Sequence, residues 1–202
     1  MKKREKKSGV RCDAGPAGFI SFALSFSLVA FFGGPVYPLA AGGALLIHEL
    51  AHFAAAKALG APLSAVSVGA WGIRTEYEYS AVGALPEIAV LLAGPAANLA
   101  VSLAAIPTRL PAYRGGMFFI LSGFALAAVN LLPVTGLDGG AALYAAVGAF
   151  ALPDRATAIC SRVSLAFTFL FWGVSAAVMM TRGINYSLLV LSAYFLVRSL
   201  RC

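Results

Sequence analysis

The sequence predicts an all-α polytopic membrane protein with about six transmembrane helices and a small membrane-associated β-hairpin between the second and third spans. Its 202 residues are 60% apolar and only 11% charged, whereas a soluble domain carries about a quarter charged residues. The mean hydropathy is +0.87. Because a membrane-spanning helix needs roughly 20 apolar residues, six spans with short loops account for nearly the whole chain. A solvated globular enzyme and a disordered chain are therefore both excluded.

Long uncharged runs mark the six predicted spans. Between Asp13 and Lys57 the only charged residue is Glu49, and this stretch is too long for one helix. Glycines and prolines at 33–38 interrupt it, so we expect two spans joined by a tight hairpin. Four further uncharged runs predict four more spans, and residues 139–153 continue or flank the fourth of the six. The predicted spans are 17–33, 37–57, 88–108, 115–137, 163–181 and 183–197.

The basic residues predict the orientation in the membrane. Six of the fifteen lysines and arginines lie within residues 2–11, directly before the first apolar run. This is typical of a segment held on the cytoplasmic side beside anionic lipid. With six spans both termini are cytoplasmic, and only Arg109, Arg114 and Arg182 fall outside. The net charge of +7 therefore points to the bilayer and not to nucleic acid. A cleaved signal peptide is the alternative, although the apolar stretch continues well past a signal core.

Residues 63–79 do not follow a helical pattern. Ile73, Thr75, Tyr77 and Tyr79 alternate with charged residues, which is a period of two. A shorter alternating piece precedes them, with glycines between the two. We interpret this segment as a small β-hairpin at the membrane surface, and an amphipathic loop is the alternative.

The second span contains the sequence His48-Glu49-Leu50-Ala51-His52. Residues i and i+4 share one face of a helix, so both imidazoles can reach one metal ion. Glu49 lies beside them, where it can take a proton from a metal-bound water. This is the spacing of zinc metalloproteases.

The position of this motif strengthens the metal interpretation. His48 and His52 are the only two histidines of the chain, and Glu49 is the only carboxylate in their span. A charge at that depth costs about 2.5–3.5 kcal/mol, a cost that a divalent cation would offset. The alternative is two hydrogen-bonded core histidines and a glutamate used in helix packing.

A third ligand must come from elsewhere, because a catalytic zinc takes three protein ligands and leaves one position for water. Elimination of the acids in polar loops leaves Asp138, at the end of the fourth span. Pro133 and Gly136 should break the helix there and let the backbone bend Asp138 towards the metal. Irregular backbone at membrane depth fits a hydrated site. The alternative for Asp138 is a cap on a helix that begins at Gly139.

These motifs resemble those of a known family. HELAH at 48–52 and NLLPVTGLDG at 130–139 are similar to the paired motifs of the site-2 protease family of intramembrane zinc metalloproteases. GPAAN at 94–98 resembles the family's third motif. The six-span plan with a basic N-terminus is most similar to the branch that contains the stage IV sporulation protease. We expect this chain to lack the C-terminal nucleotide-sensing domain that the branch often carries.

The resemblance implies a zinc-dependent endopeptidase with one Zn²⁺ per chain. It assigns His48, His52 and Asp138 as metal ligands, with Glu49 as general base. Asn130 matches an asparagine that lies beside the active site in the family and is thought to hold the substrate backbone. An interhelical hydrogen bond is the equally weighted alternative for Asn130.

The resemblance also extends to the 63–79 segment and to partners. Ile73, Thr75 and Tyr77 match the family's membrane-associated β element, which offers an edge strand to substrate. Asn98 is expected to serve in helix packing, because small residues surround it. The expected partners are a single-span or membrane-associated protein substrate, a membrane regulatory protein and the lipid bilayer.

The expected organisation is a basic cytoplasmic segment at 1–15 and one membrane-embedded metalloprotease domain at 16–202, with its catalytic core at about 37–150. The expected location is the bacterial cytoplasmic membrane. Two rival functions remain open. A membrane metal transporter or sensor would use the same ligands but leaves Glu49 without a role, and an inactive helix-binding adaptor would not need the complete set of motifs.

Overall fold

The computed structural model describes residues 11–13, 34–69, 72–79 and 82–182, and most of them are helical. Within these residues there are five α-helices, α1 (Val36–Leu59), α2 (Ala84–Ala105), α3 (Arg114–Asn130), α4 (Asp138–Gly148) and α5 (Pro153–Arg182). A short 3₁₀ helix, Leu110–Ala112, lies between α2 and α3.

Three helices form the centre of the molecule. Each of α1, α2 and α3 packs against the other two, α4 packs on α2, and α5 packs on α4. Buried positions on these helices are mostly small, such as Ala44, Gly94, Gly123 and Ala127, which allows helix axes to approach closely without bulky side chains. The residues of α4 are therefore held against the same helix, α2, that also contacts α1.

In the part of the chain that the structure describes, three helices are long and apolar enough to cross a bilayer, over Val36–Leu59, Ala84–Ala105 and Pro153–Val174. They correspond to the second, third and fifth predicted spans, and they support an integral membrane protein. The first predicted span, 17–33, and the sixth, 183–197, lie outside the described residues. The count of six spans therefore stays a prediction.

The fourth predicted span, 115–137, is helical only as far as Asn130. Residues 131–137 form turns, and residues 139–148 belong to a separate helix, α4, that does not continue α3. Gly136 has a φ of 91°, a left-handed conformation that costs glycine little. The break expected from Pro133 and Gly136 is therefore present.

The turn at 131–137 folds back on the start of α4. A Cβ atom at Gly140 would overlap the carbonyl oxygen of Val134. Position 140 therefore requires a glycine where α4 lies against the turn. The backbone N–H of Thr135 donates to Ser164 Oγ of α5 at 3.0 Å. These contacts fix the direction in which Asp138, the first residue of α4, leaves the turn.

A three-stranded sheet accompanies the helices, in the order β1 (Arg11–Asp13), β2 (Leu63–Gly69) and β3 (Gly72–Tyr77). β2 and β3 are antiparallel, in the segment where alternation predicts strands, and residues 70–71 between them lie outside the described residues. β1 is parallel to β2, and nothing in the basic segment 1–15 had predicted a strand there.

The sheet is attached to the helices close to the histidine motif. Ala56 of α1, Ala61 and Val90 of α2 form a buried apolar cluster, against which Tyr77 and Tyr79 pack. Burial, together with the nearby carboxylate of Glu87, raises the pKa of Tyr79 above its usual range. Since Ala56 lies one helical turn after His52, β3 is held beside the helix that carries both histidines.

Candidate metal centre

Helix α1 places both histidines on its buried face. His48 is 4% exposed and His52 6% exposed, and their rings meet edge to face with centroids 4.7 Å apart. The four-residue spacing produces this stacking, because positions i and i+4 are neighbours on a helix surface. Glu49, the next residue after His48, is only partly buried. The motif therefore presents two buried imidazoles and one more accessible carboxylate.

The turn at 131–137 brings Asp138 to the same point. Asp138 Oδ2 lies 3.0 Å from His48 Nε2 and 3.3 Å from His52 Nε2. The two Nε2 atoms are 3.1 Å apart. Helix α4 begins at Asp138 itself, and no side chain caps it. The carboxylate is thus directed at the imidazoles, and the capping alternative does not describe this geometry.

Helix α2 orients both imidazoles from the other side. His52 Nδ1 donates to the backbone carbonyl oxygen of Val90 at 2.7 Å. This bond places the proton of neutral His52 on Nδ1 and leaves Nε2 with a free lone pair, which is the form that binds a metal.

Asn98 contacts the site, and sequence reasoning did not predict this contact. Its side chain is 2% exposed, and its amide nitrogen lies 3.2 Å from His48 Nδ1. Sequence reasoning assigned it to helix packing. The available signal was its position in GPAAN, a polar residue two turns after Val90 among small apolar neighbours.

The three ligand atoms fit a metal ion by chemistry and by distance. A carboxylate oxygen and two imidazole lone pairs facing one another at 3.0–3.3 Å repel unless a cation, either a proton or a metal ion, lies between them. Zinc binds such ligands at about 2.0–2.1 Å, so a tetrahedral site separates them by about 3.3 Å. Two histidines and one acid are a donor set found in catalytic zinc sites.

Gly94 allows helix α2 to lie directly against the histidine rings. A Cβ atom at Gly94 would overlap His52 Nε2 and lie 2.8 Å from His48 Cε1. The Asp138 side chain is 22% exposed, so the centre is packed against α2 and accessible beside the carboxylate.

The predicted substrate-binding residues lie on α3 and β3. Asn130 Nδ2 donates to the carbonyl oxygen of Leu126 in its own helix at 3.0 Å, so this bond is intrahelical and not the interhelical bond considered as an alternative. Ile73 and Thr75 lie in β3, opposite Val68 and Val66 of β2. Tyr77 ends β3 and lines an open groove of about 450 Å³ at the C-terminal end of α1.

Fold and site together define a mostly helical protein in which apolar helices enclose a centre of two histidines and one aspartate. Residues 114–171 match the family described as Peptidase family M50, a range that includes Asp138 but not the histidines. The structure is similar to that of the site-2 protease from Methanocaldococcus jannaschii, with a TM-score of 0.67 and 17% identity over 91% of this chain and 87% of that chain. At this identity the likeness concerns the fold. No curated protein matches the sequence significantly.

Asp138→Ala should abolish tight zinc binding, because it removes one of three ligands. A residue that only stabilises the start of α4 would instead cost about 0.5–2 kcal/mol of stability and leave the metal in place. Zinc per chain, measured by atomic emission after dialysis, distinguishes the two roles.

Asp154→Ala is the matched control for this substitution. Asp154 is also an acid in the first turn of a helix, and it is exposed. It should retain the wild-type zinc content. One tightly bound zinc per chain in Asp138→Ala would exclude Asp138 as a ligand.

Proposed function

We propose that this chain is an intramembrane zinc endopeptidase that hydrolyses a peptide bond within or near a transmembrane segment of its substrate. The convergence of His48, His52 and Asp138 inside a bundle of apolar helices carries the proposal. The match of residues 114–171 to Peptidase family M50 and the site-2 protease fold support it. Neither rival function is favoured by an observation of its own.

The two histidines and Asp138 would hold one Zn²⁺ per chain. When bound, the metal would polarise the scissile carbonyl and lower the pKa of a water molecule to about 7. Glu49 accepts the proton of the attacking water and then passes it to the leaving amine. Its partial exposure is consistent with this task, because a general base must reach the water and the substrate.

Hydrolysis also requires that water can reach the three ligand residues. The histidines are buried, whereas Asp138 is partly exposed beside the irregular backbone at 131–137. Non-helical backbone at membrane depth is tolerated where it is buried in protein or lines a water-filled cavity. Water therefore enters beside Asp138, and the packed helices α1 and α2 exclude it from the opposite side.

A transmembrane substrate must unwind before its carbonyls can be attacked. Each backbone group freed in a non-aqueous site costs several kcal/mol unless it finds a partner. Within the described residues β3 is an edge strand of the sheet. Ile73, Thr75 and Tyr77 would offer their backbone groups to the unwound segment, as in β-augmentation. The groove beside Tyr77 and Phe53 provides adjacent space for side chains.

The proposed substrate is a single-span or membrane-associated protein, and a membrane regulatory protein would control its access. The proposed location is the bacterial cytoplasmic membrane, with both termini in the cytoplasm. Asn130 would contact the substrate backbone near the site, which requires its side chain to leave the carbonyl of Leu126.

Reconstituted protein should cleave a panel of tagged single-span proteins at bonds that mass spectrometry maps within the bilayer. Chelation should stop cleavage, and added Zn²⁺ should restore it. Zinc flux across the vesicle membrane without cleavage would favour the transporter. Binding of helices by a chain that neither cleaves nor retains zinc would favour the adaptor.

Proline in β3 should reduce cleavage of a stable transmembrane helix and leave zinc content unchanged. Successive residues of an antiparallel strand direct their backbone N–H groups alternately towards β2 and towards the free edge. Because the proposal places the backbone groups of Thr75 at the free edge, Thr75→Pro should remove a donor from the substrate edge, and Glu76→Pro should disturb pairing with β2. Cleavage of a helical substrate, zinc content and circular dichroism are measured for both.

A short unfolded peptide serves as the control substrate, because it needs less help to stay extended. Its cleavage should be affected less than that of the helix by the edge-facing proline. Near-normal cleavage of the helical substrate by both variants would mean that β3 does not hold substrate as a strand.

A further inference from the structure

We propose that Asn98 is a positioning residue for the metal centre, accepting a hydrogen bond through its Oδ1 from the Nδ1–H of His48 when the ion is bound. The inference rests on the metal site of the proposed function and adds a residue to it. It concerns the orientation and proton position of one imidazole, whereas the ligands themselves are His48, His52 and Asp138.

Asn98 contacts His48 directly, at a position that is buried from solvent. Asn98 is 2% exposed, and its amide lies 3.2 Å from His48 Nδ1. The opposite ring nitrogen, His48 Nε2, lies 3.0 Å from Asp138. His48 is therefore held at both nitrogens, by a ligand partner on one side and by Asn98 on the other. A buried polar group without a partner is costly. Removal of the Asn98 amide would take away this partner of His48 Nδ1.

One face of α2 serves both histidines. Val90, Gly94 and Asn98 recur every four residues, and all three are buried. Val90 supplies the backbone carbonyl for His52, Gly94 allows α2 to approach the rings, and Asn98 reaches His48. His52 has a backbone partner that substitution cannot remove. The partner of His48 Nδ1 is a side chain, so a substitution of Asn98 can change the orientation of the His48 ring.

The chemistry of coordination determines which amide atom is used. An imidazole that binds a metal through Nε2 carries its proton on Nδ1. Nδ1 is then a donor, and it needs an acceptor. In the structure the Asn98 nitrogen faces Nδ1, and rotation of the amide by 180° brings Oδ1 to the same place with little change of shape. Metal binding therefore favours the amide orientation in which Asn98 Oδ1 faces His48 Nδ1.

The inference makes opposite predictions for two variants. Asn98→Asp keeps an acceptor and removes the donor, so it should bind zinc at least as tightly as the wild type. Asn98→Leu keeps the branching at Cγ and removes the acceptor, so its zinc affinity should fall roughly 10–100-fold, as for other outer hydrogen-bond partners of metal ligands. Affinity is measured with Zn²⁺ against a competing chelator, and with Co²⁺ by its absorption spectrum.

Ser102→Ala is the matched control, since Ser102 is 1% exposed and lies one turn further along α2. It should bind zinc like the wild type. Loss of affinity in Asn98→Asp comparable to that of Asn98→Leu would overturn the inference, as would an unchanged affinity in Asn98→Leu. If Asn98→Leu does not fold, Asn98→Ala replaces it, and the Asn98→Asp result alone still decides between acceptor and donor.

The failures of the two proposals are distinguishable. A wild-type chain that binds no zinc removes the metal site, and the role of Asn98 is lost with it. A wild-type chain that binds zinc, together with Asn98 variants that do not follow the predicted order, removes only the role of Asn98.

Discussion

Glu49→Gln should abolish proteolysis and retain one zinc per chain. The substitution preserves the size of the side chain and leaves the three ligand atoms in place, but an amide cannot accept the proton of the attacking water. General-base catalysis contributes roughly 10²–10⁴-fold to the rate, so cleavage should fall by at least that range. Zinc content and cleavage of a single-span substrate are measured on the same preparation.

Glu78→Gln is a matched control, because Glu78 is an exposed carboxylate just beyond β3. It should cleave at the wild-type rate. Full activity in Glu49→Gln would end the general-base assignment, and loss of zinc in that variant would show that Glu49 supports the metal instead.

Gly94→Ala should remove the metal without unfolding the protein. The added methyl group would clash with His52 Nε2 and lie 2.8 Å from His48 Cε1, so we expect both imidazoles to move away from Asp138. That movement also opposes the hydrogen bond from His52 to Val90. Displaced ligands should cost more than the roughly 10–100-fold in zinc affinity that the loss of an outer hydrogen-bond partner costs.

Loss of metal in Gly94→Ala should not result from unfolding of α2. Alanine is favoured over glycine in a helix interior by about 1 kcal/mol, so α2 should be at least as stable in this variant. Gly42→Ala in α1 is the control, since a Cβ atom there meets nothing within 4 Å. Wild-type zinc affinity in Gly94→Ala would mean that the rings are not held where the structure places them.

The parts of the site that depend on local spacing could be predicted from the sequence. The four-residue interval between His48 and His52 fixes a shared face as soon as the segment is a helix. A proline and a glycine in 131–137 predicted a break, and the break is present. Because few acids lie near an apolar span, Asp138 could be selected before its distance to the histidines was known.

The parts that depend on contacts between distant segments could not be predicted. Asn98 lies 50 residues from His48 in sequence, and an asparagine among small residues is equally consistent with helix packing. Gly94 suggested close helix approach, but not that the histidine rings lie opposite it. The strand Arg11–Asp13 depends on pairing with β2, and three residues carry no periodic pattern of their own. The hydrogen bond from Thr135 to Ser164 of α5 likewise joins residues that are distant in sequence.

X-ray absorption at the zinc edge of the purified wild-type protein tests the metal centre most directly. With His48, His52 and Asp138 as ligands, the first shell should contain only nitrogen and oxygen at about 2.0–2.1 Å, with outer scattering from two imidazoles and one zinc per chain. A sulfur shell at about 2.3 Å would place the metal on Cys12, Cys160 or Cys202 instead. That result, or a purified protein that retains no zinc, would contradict the site described for this chain.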